Sequence, residues 1–206
     1  MTTSVGIIDY QAGNIQSILN AFESLGVDVY VATDAESLME RSHLVLPGVG
    51  AFGYCANRLS ESGLQSVLYN WVFHEKRPLL GICVGMQLLA DTSEEHGIHH
   101  GLGWIGGEVR RLHPLADGIR VPHVGWNTVC FGVKFGGFNP GDTADFYFDH
   151  SYAYMSPKLG IEIGNCNHGT SFCAVVRREN LIAAQFHPEK SQEAGKRFLS
   201  GFLEMA

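Results

Sequence analysis

The stretch from Pro78 to Ala90, PLLGICVGMQLLA, limits the fold more than any other part of the chain. An apolar run of strand length ends at Gly81, and apolar residues resume at helical spacing from Met86. Between them lies G-x-C-x-G, with Cys83 between Gly81 and Gly85. A strand that turns directly into a helix leaves little room beside its apex, so glycines there avoid collisions and let one side chain stand above the sheet. Cys83 then reads as the apex of a nucleophile elbow. The Val84 N–H would lie where an oxyanion forms, and the helix begun by Met86, Gln87, Leu88 and Leu89 would turn its dipole toward the thiol. Free cysteine is also a common small core residue, so the elbow alone leaves a purely structural role open.

The flanking pattern agrees with an α/β sheet. SVGIID reads as a strand, followed by Ile15, Ile18, Leu19, Phe22 and Leu25 at helical spacing and Gly26 as a C-cap. VDVYV is a second strand, Asp34 caps a short helix, HLVLP is a third strand ending in the turn PGVG, GLQSVLYNWVFHEK is helical, and PLLGI is the next strand. This alternation predicts a largely parallel central sheet flanked by helices on both faces. Beyond Gly106 the pattern changes: EVRRL, PHVGWNTVCF, DFYFDHSYAYM, SFCAVV and NLIAAQF all read as strands, which predicts added antiparallel strands. The closing SQEAGKRFLSGFLEM is helical, with Phe198, Leu199, Phe202 and Leu203 as a core stripe.

With 206 residues, 45% hydrophobic and 17% charged, and no shift in composition, the chain reads as one domain over 1–206. Its net charge of -7 and lack of a Lys/Arg cluster give no basis for nucleic-acid binding. No run reaches membrane-spanning length and MTTSVGIIDY has no basic leader, so a cytoplasmic protein with no membrane contact is expected. Five cysteines without C-x-x-C spacing favour neither disulfides nor a zinc ribbon. His96, His99 and His100 in EEHGIHHG read as a surface loop and not as a metal site.

A cysteine nucleophile in acyl transfer needs an imidazole and a group to orient it. QFHPEKS supplies His187 after an apolar strand, with Glu189 two residues on. At a strand end, residues 187 and 189 project to one side, so the carboxylate can reach the ring.

GICVGMQ with a distant QFHPE resembles the class I (triad) glutamine amidotransferase family, and the likeness runs over essentially the whole chain. IIDYQAGN, PGVGAF, GICVGMQLL, PHVGWN, FYFDHSY and FHPEKS together resemble the branch of glutaminase subunits that serve histidine biosynthesis. The resemblance implies hydrolysis of L-glutamine by Cys83, His187 and Glu189 through a thioester. It also implies a heterodimer in which ammonia passes to a (β/α)8 cyclase/synthase subunit that makes imidazole glycerol phosphate. Gly48, Val49 and Gly50 match the oxyanion turn, whose Val49 N–H would join that of Val84 after a peptide flip. Gln87 and Glu95 match glutamine-holding residues, and Ser151 and Tyr152 match the backbone that meets the α-carboxylate. Trp126, Asn127, Tyr147 and Lys190 match positions facing the barrel partner. No cofactor or metal is implied. His123 and His150 fall in the same motifs, either lining the partner boundary or satisfied within the core.

Two positions depart from the family pattern: Gln11 stands where glycine is usual, and Asp149 where an apolar residue is usual. Both lie in motifs of the branch and not in the triad, so they bear on the ammonia acceptor. A paralogous subunit supplying ammonia for amidination of a bacterial surface sugar is the first alternative. A non-enzymatic regulatory subunit would be expected to lack a triad residue, and a stand-alone cysteine hydrolase would not need Gln87 or PHVGWN.

Overall fold

The computed structural model describes residues 3–115, 118–156 and 160–205. Its elements run β1 (Ser4–Ile8), α1 (Ile15–Glu23), β2 (Asp28–Ala32), α2 (Ala35–Met39), β3 (His43–Leu46), α3 (Phe52–Glu61), α4 (Gln65–Tyr69), β4 (Leu79–Ile82) and α5 (Val84–Gln87). A π-helical turn, Asn70–His74, extends α4. The second half contains β5 (Thr92–Ser93), β6 (His99–His100), β7 (Glu108–Arg111), β8 (His123–Phe131), β9 (Thr143–His150), β10 (Tyr152–Met155), β11 (Glu162–Asn167), β12 (Ser171–Arg178), β13 (Leu181–Ala184) and α6 (Gln192–Leu203). Among the described residues, no helix is long and apolar enough to cross a membrane.

Nine strands form one sheet in the order β2-β1-β3-β4-β13-β12-β11-β8-β9. The first five run parallel and the remaining four continue antiparallel. β3, β4 and β13 are buried along their whole lengths, as parallel strands covered on both faces must be. The edge strand β2 is mostly exposed. A smaller sheet, β10-β7-β5-β6, stands apart. The expected α/β fold with added antiparallel strands is therefore present, but α3 and the strands β5, β6 and β11 are additional to the expected elements, and the apolar stretch DFYFDHSYAYM is two strands. β9 ends at His150 in the large sheet and β10 begins at Tyr152 in the small one, so Ser151 is a crossover between sheets.

The start of α2 follows from its sequence, because Asp34 and Ser37 form a reciprocal capping box. Helices α1 and α6 meet through Phe22 and Phe202, and α6 also sets Phe198 against Phe186, which stacks on Phe146 of β9. Gln11 occupies the left-handed region at φ 65°, the conformation for which glycine is suited. Its N–H donates to Asp9 Oδ1 at 2.8 Å and Arg58 bonds its side-chain oxygen, contacts that hold this non-glycine residue there.

Candidate active site

The sheet topology brings the chemistry together. β4 lies between β3 and β13, parallel to both, with Gly81 opposite Leu46 on one side and Ala183 on the other. All three strands therefore end at the same edge, where open α/β sheets bind ligands. β4 delivers Cys83, β13 delivers His187, and β3 delivers the turn 47–50.

Cys83 sits at φ 55°, ψ -114°, a conformation rare for any residue with a side chain. Its neighbours must be small. A Cβ on Gly85 would lie 2.0 Å from Leu46 O, one on Gly81 would lie 3.0 Å from Gly85 O, and one on Gly48 would lie 2.6 Å from Gly85 N. The helix behind the cysteine is shorter than the sequence suggests. α5 is the single turn Val84–Gln87, tightening at Leu89 and Ala90 into i to i+3 bonds. A one-turn dipole is weak, so the local charge is set more by His187 than by the helix.

His187 Nδ1 lies 2.7 Å from Glu189 Oε1, which leaves Nε2 to face the Cys83 thiol, also its hydrogen-bond partner. Burial disfavours the imidazolium, but the bonds to Cys83 and Glu189 outweigh it and hold the His187 pKa well above its ordinary value. The two residues do not meet through strand alternation. β13 stops at Ala184, and a 3-10 turn, Pro188–Lys190, folds Glu189 back under the ring. The His187 backbone is pinned in turn: its N–H donates to Tyr147 O at 2.9 Å, and Ser191 Oγ donates to its carbonyl at 2.6 Å. Three other cysteines, Cys55, Cys166 and Cys173, are buried and do not line the cleft over Cys83. Burial pushes Cys55 to about 11 and Cys166 to about 12, and raises Cys173 further, so these thiols stay protonated at neutral pH.

A cleft of about 380 Å³ opens over the thiol, lined by Val49, Gly50, Cys83, Val84, Gln87, Glu95, Ser151, Tyr152, His187 and Lys190. Glu189 is behind His187, its side chain 1% exposed. Gly48 is packed beneath, against the elbow. Glu95 is half-buried, accepting the Phe52 N–H at 2.7 Å, whereas its neighbour Glu94 is exposed and bonds Arg111 N. Gln87 is buried, its amide donating to Tyr152 O and Gln185 Oε1, each at 2.9 Å. Asn14, Pro122, Asp149 and His150, from the IIDYQAGN, PHVGWN and FYFDHSY motifs, also line the cleft, though the sequence assigns none of them to the glutamine pocket.

Trp126 and Tyr147 face each other across the β8–β9 ladder, edge to face at 6.2 Å, with Lys190 Nζ 5.4 Å from the Tyr147 ring centre. Val124 and Asp149 pair on the same face. Trp126 and Val124 are half exposed, a combination of aromatic and aliphatic surface suited to docking. Asn127 does not join this group. One residue on from Trp126, it projects to the opposite face and donates to His123 Nε2 and Asn167 O.

His123 and His150 are buried and bonded to each other, Nδ1 to Nε2, at 3.1 Å. Burial, with His168 nearby, lowers His123 to about 4; burial, with His123, His168 and His187 nearby, lowers His150 to about 3 despite its bond to Tyr152 O. Unfolding restores an ordinary histidine, which binds a proton below about pH 6.5. The unfolded chain therefore takes up more protons between pH 6.5 and about 4, and stability falls as pH falls through that window. Urea midpoints should drop from pH 7 to pH 4.5, and His123→Phe should flatten the drop. An unchanged slope in that variant would remove His123 as a cause.

A model of the family described as glutamine amidotransferase class-I matches residues 6–205. A protein of Bdellovibrio bacteriovorus, named imidazole glycerol phosphate synthase subunit HisH, is 42% identical, over 98% of this chain and 100% of its own length. A protein of the same name from Zymomonas mobilis is 41% identical over 98% and 96%. Among solved structures, one described as a glutamine amidotransferase superposes with TM-score 0.75 at 21% identity, covering 97% of both chains. PurLQS from Thermotoga maritima superposes with TM-score 0.75 at 16% identity, covering 98% of both chains, and shares the fold.

Proposed function

Because the chain belongs to the class I glutamine amidotransferase family, we propose that it is the glutaminase subunit of imidazole glycerol phosphate synthase, acting in histidine biosynthesis in the cytoplasm. The observation that carries this reading is the meeting of Cys83, His187 and Glu189 at one cleft whose walls also hold Glu95, Ser151 and Tyr152.

His187 Nε2 takes the proton from Cys83 Sγ, and the thiolate attacks the side-chain amide carbon of glutamine. The N–H groups of Val84 and Val49, the latter presented by the Gly48–Gly50 turn, hold the oxyanion. As the intermediate collapses, the C–N bond breaks, the imidazolium returns its proton to the leaving nitrogen, and ammonia departs from a thioester. Water, deprotonated by His187, then cleaves the thioester to glutamate. Glu189 keeps the proton on Nδ1 and stabilises the imidazolium. Glu95 receives the substrate ammonium, the Ser151–Tyr152 backbone receives its carboxylate, and Gln87 lines the pocket beside them. The face bearing Trp126, Tyr147 and Lys190 docks a (β/α)8 cyclase subunit as a heterodimer, and the ammonia crosses that interface.

The test is glutamate release with and without the histidine-pathway cyclase subunit, with imidazole glycerol phosphate measured in the same reaction. Glutamate without that product would assign the ammonia to another acceptor. Glu189→Gln should lower turnover by about 10⁴-fold at most, since the base remains, whereas His187→Ala should cost roughly 10⁶-fold. Equal, complete losses with lowered melting temperatures would make Glu189 a folding residue instead.

A further inference from the structure

Two buried imidazoles take no part in the reaction above. We propose that His123 and His150 are positioning residues, through which a one-way run of hydrogen bonds from Asn127 to the Tyr152 carbonyl holds the Ser151 crossover, and with it the glutamine pocket. The proposal rests on the glutaminase reading.

Ser151 alone separates β9 of the large sheet from β10 of the small one, and its carbonyl is tied to the small-sheet side by the Leu112 N–H at 2.9 Å, so the joint to β9 lies at His150. The His150 ring spans the joint, with Nδ1 2.9 Å from Tyr152 O. A carbonyl only accepts, so Nδ1 carries the proton and Nε2 must accept. That acceptor meets His123 Nδ1 at 3.1 Å, which therefore carries the second proton. His123 Nε2 is left as an acceptor, and the Asn127 amide fills it at 3.1 Å. Each ring is used once as donor and once as acceptor, which requires both to be neutral, as their burial dictates.

The run ends on an atom that the pocket shares. The Tyr152 carbonyl also accepts from Gln87 Nε2, and the same amide group donates to Gln185, whose own amide lies 3.8 Å from Cys83 Sγ. Both lone pairs of that carbonyl are thus used, one by His150 of β9 and one by Gln87 of α5. Phe148 stacks on His123, and Phe172 meets both rings edge to face. Two phenyl rings would fill such an aromatic site without desolvating any nitrogen, so filling space does not account for imidazoles there.

The experiment compares His150→Gln and His150→Asn in the complex with the cyclase subunit. Glutamine removes the donor at the Nδ1 position, and KM for L-glutamine should rise roughly tenfold, the worth of one hydrogen bond, with a smaller change in kcat. Asparagine keeps an amide N–H at that position and should restore KM toward wild type. Equal KM in all three proteins would overturn the proposal, and so would equal losses of KM and kcat in both variants. Nitrogen-15 spectra of histidine-labelled wild type provide a measurement independent of variant folding. Both rings should be Nδ1–H tautomers, and an Nε2–H form of His150 would overturn the run. A wild-type complex that fails to hydrolyse glutamine would refute the glutaminase reading instead, while the tautomers still decide this one.

Discussion

Replacing Cys83 by alanine should abolish glutamine-dependent ammonia production, with turnover falling by about 10⁴-fold or more, while the cyclase complex continues to work on added ammonium salt. The argument is geometric. Among the cysteines in the described residues, Cys83 is the one that lines the cleft and bonds His187; Cys55, Cys166 and Cys173 are buried thiols, and Cys130 is exposed outside the cleft. No second sulfur can replace it. Serine at the same place should also be inactive, because a hydroxyl beside His187 is a far weaker nucleophile at neutral pH. A physical control accompanies the kinetic one. The elbow conformation costs a residue with a side chain on the order of 1–3 kcal/mol, which glycine escapes, so Cys83→Gly should melt above Cys83→Ala. Glutamate release by the alanine variant would sink the assignment of the nucleophile, and identical melting would mean that the elbow is not strained.

Much of this site is legible in the chain because it depends on local steric rules. The elbow needs Gly81 and Gly85, because a Cβ at Gly85 would collide with Leu46 O. β1 to β4 are similarly legible, since buried parallel strands are short apolar runs bounded by turn residues. What is not legible depends on tertiary contacts. α3 starts directly after the PGVG turn at Ala51 with no side-chain cap, and Gly53 and Asn57 interrupt its apolar spacing, so periodicity does not announce it. Glu95 and Glu94 are alike in sequence, and only the packing of α3 against the cleft turns one inward. The pairing of His187 with Glu189 is legible as residue types, but the reason differs: Pro188 starts a 3-10 turn where strand alternation would have carried on. Asn127 shows the same limit from the other side. Its place in PHVGWN groups it with Trp126, yet strand pleating sends the two to opposite faces.

The isolated chain should be a poor glutaminase, and docking of the liganded cyclase should raise kcat by on the order of 10²–10³, the worth of one oxyanion donor. Val84 offers one N–H at the start of α5, and the second must come from Val49. The turn carrying Val49 is held at both ends. The Tyr10 hydroxyl donates to Pro47 O at 2.5 Å, and Cys55 Sγ lies 3.5 Å from Val49 O. Between these anchored carbonyls, the Gly48–Val49 peptide is the unit left to rotate, and Gly48 is the residue whose backbone tolerates it. Val49 is 47% exposed at the cleft mouth, where a docked partner can bear on it. Gly48→Ala should therefore remove most of the stimulation, because its Cβ would meet Gly85 N at 2.6 Å and Val84 Cβ at 2.8 Å. The measurement is glutamate release by wild type and Gly48→Ala, with and without the cyclase subunit and its substrate. High activity in the isolated wild-type chain, unchanged by the partner, would show that the second oxyanion donor is already in place.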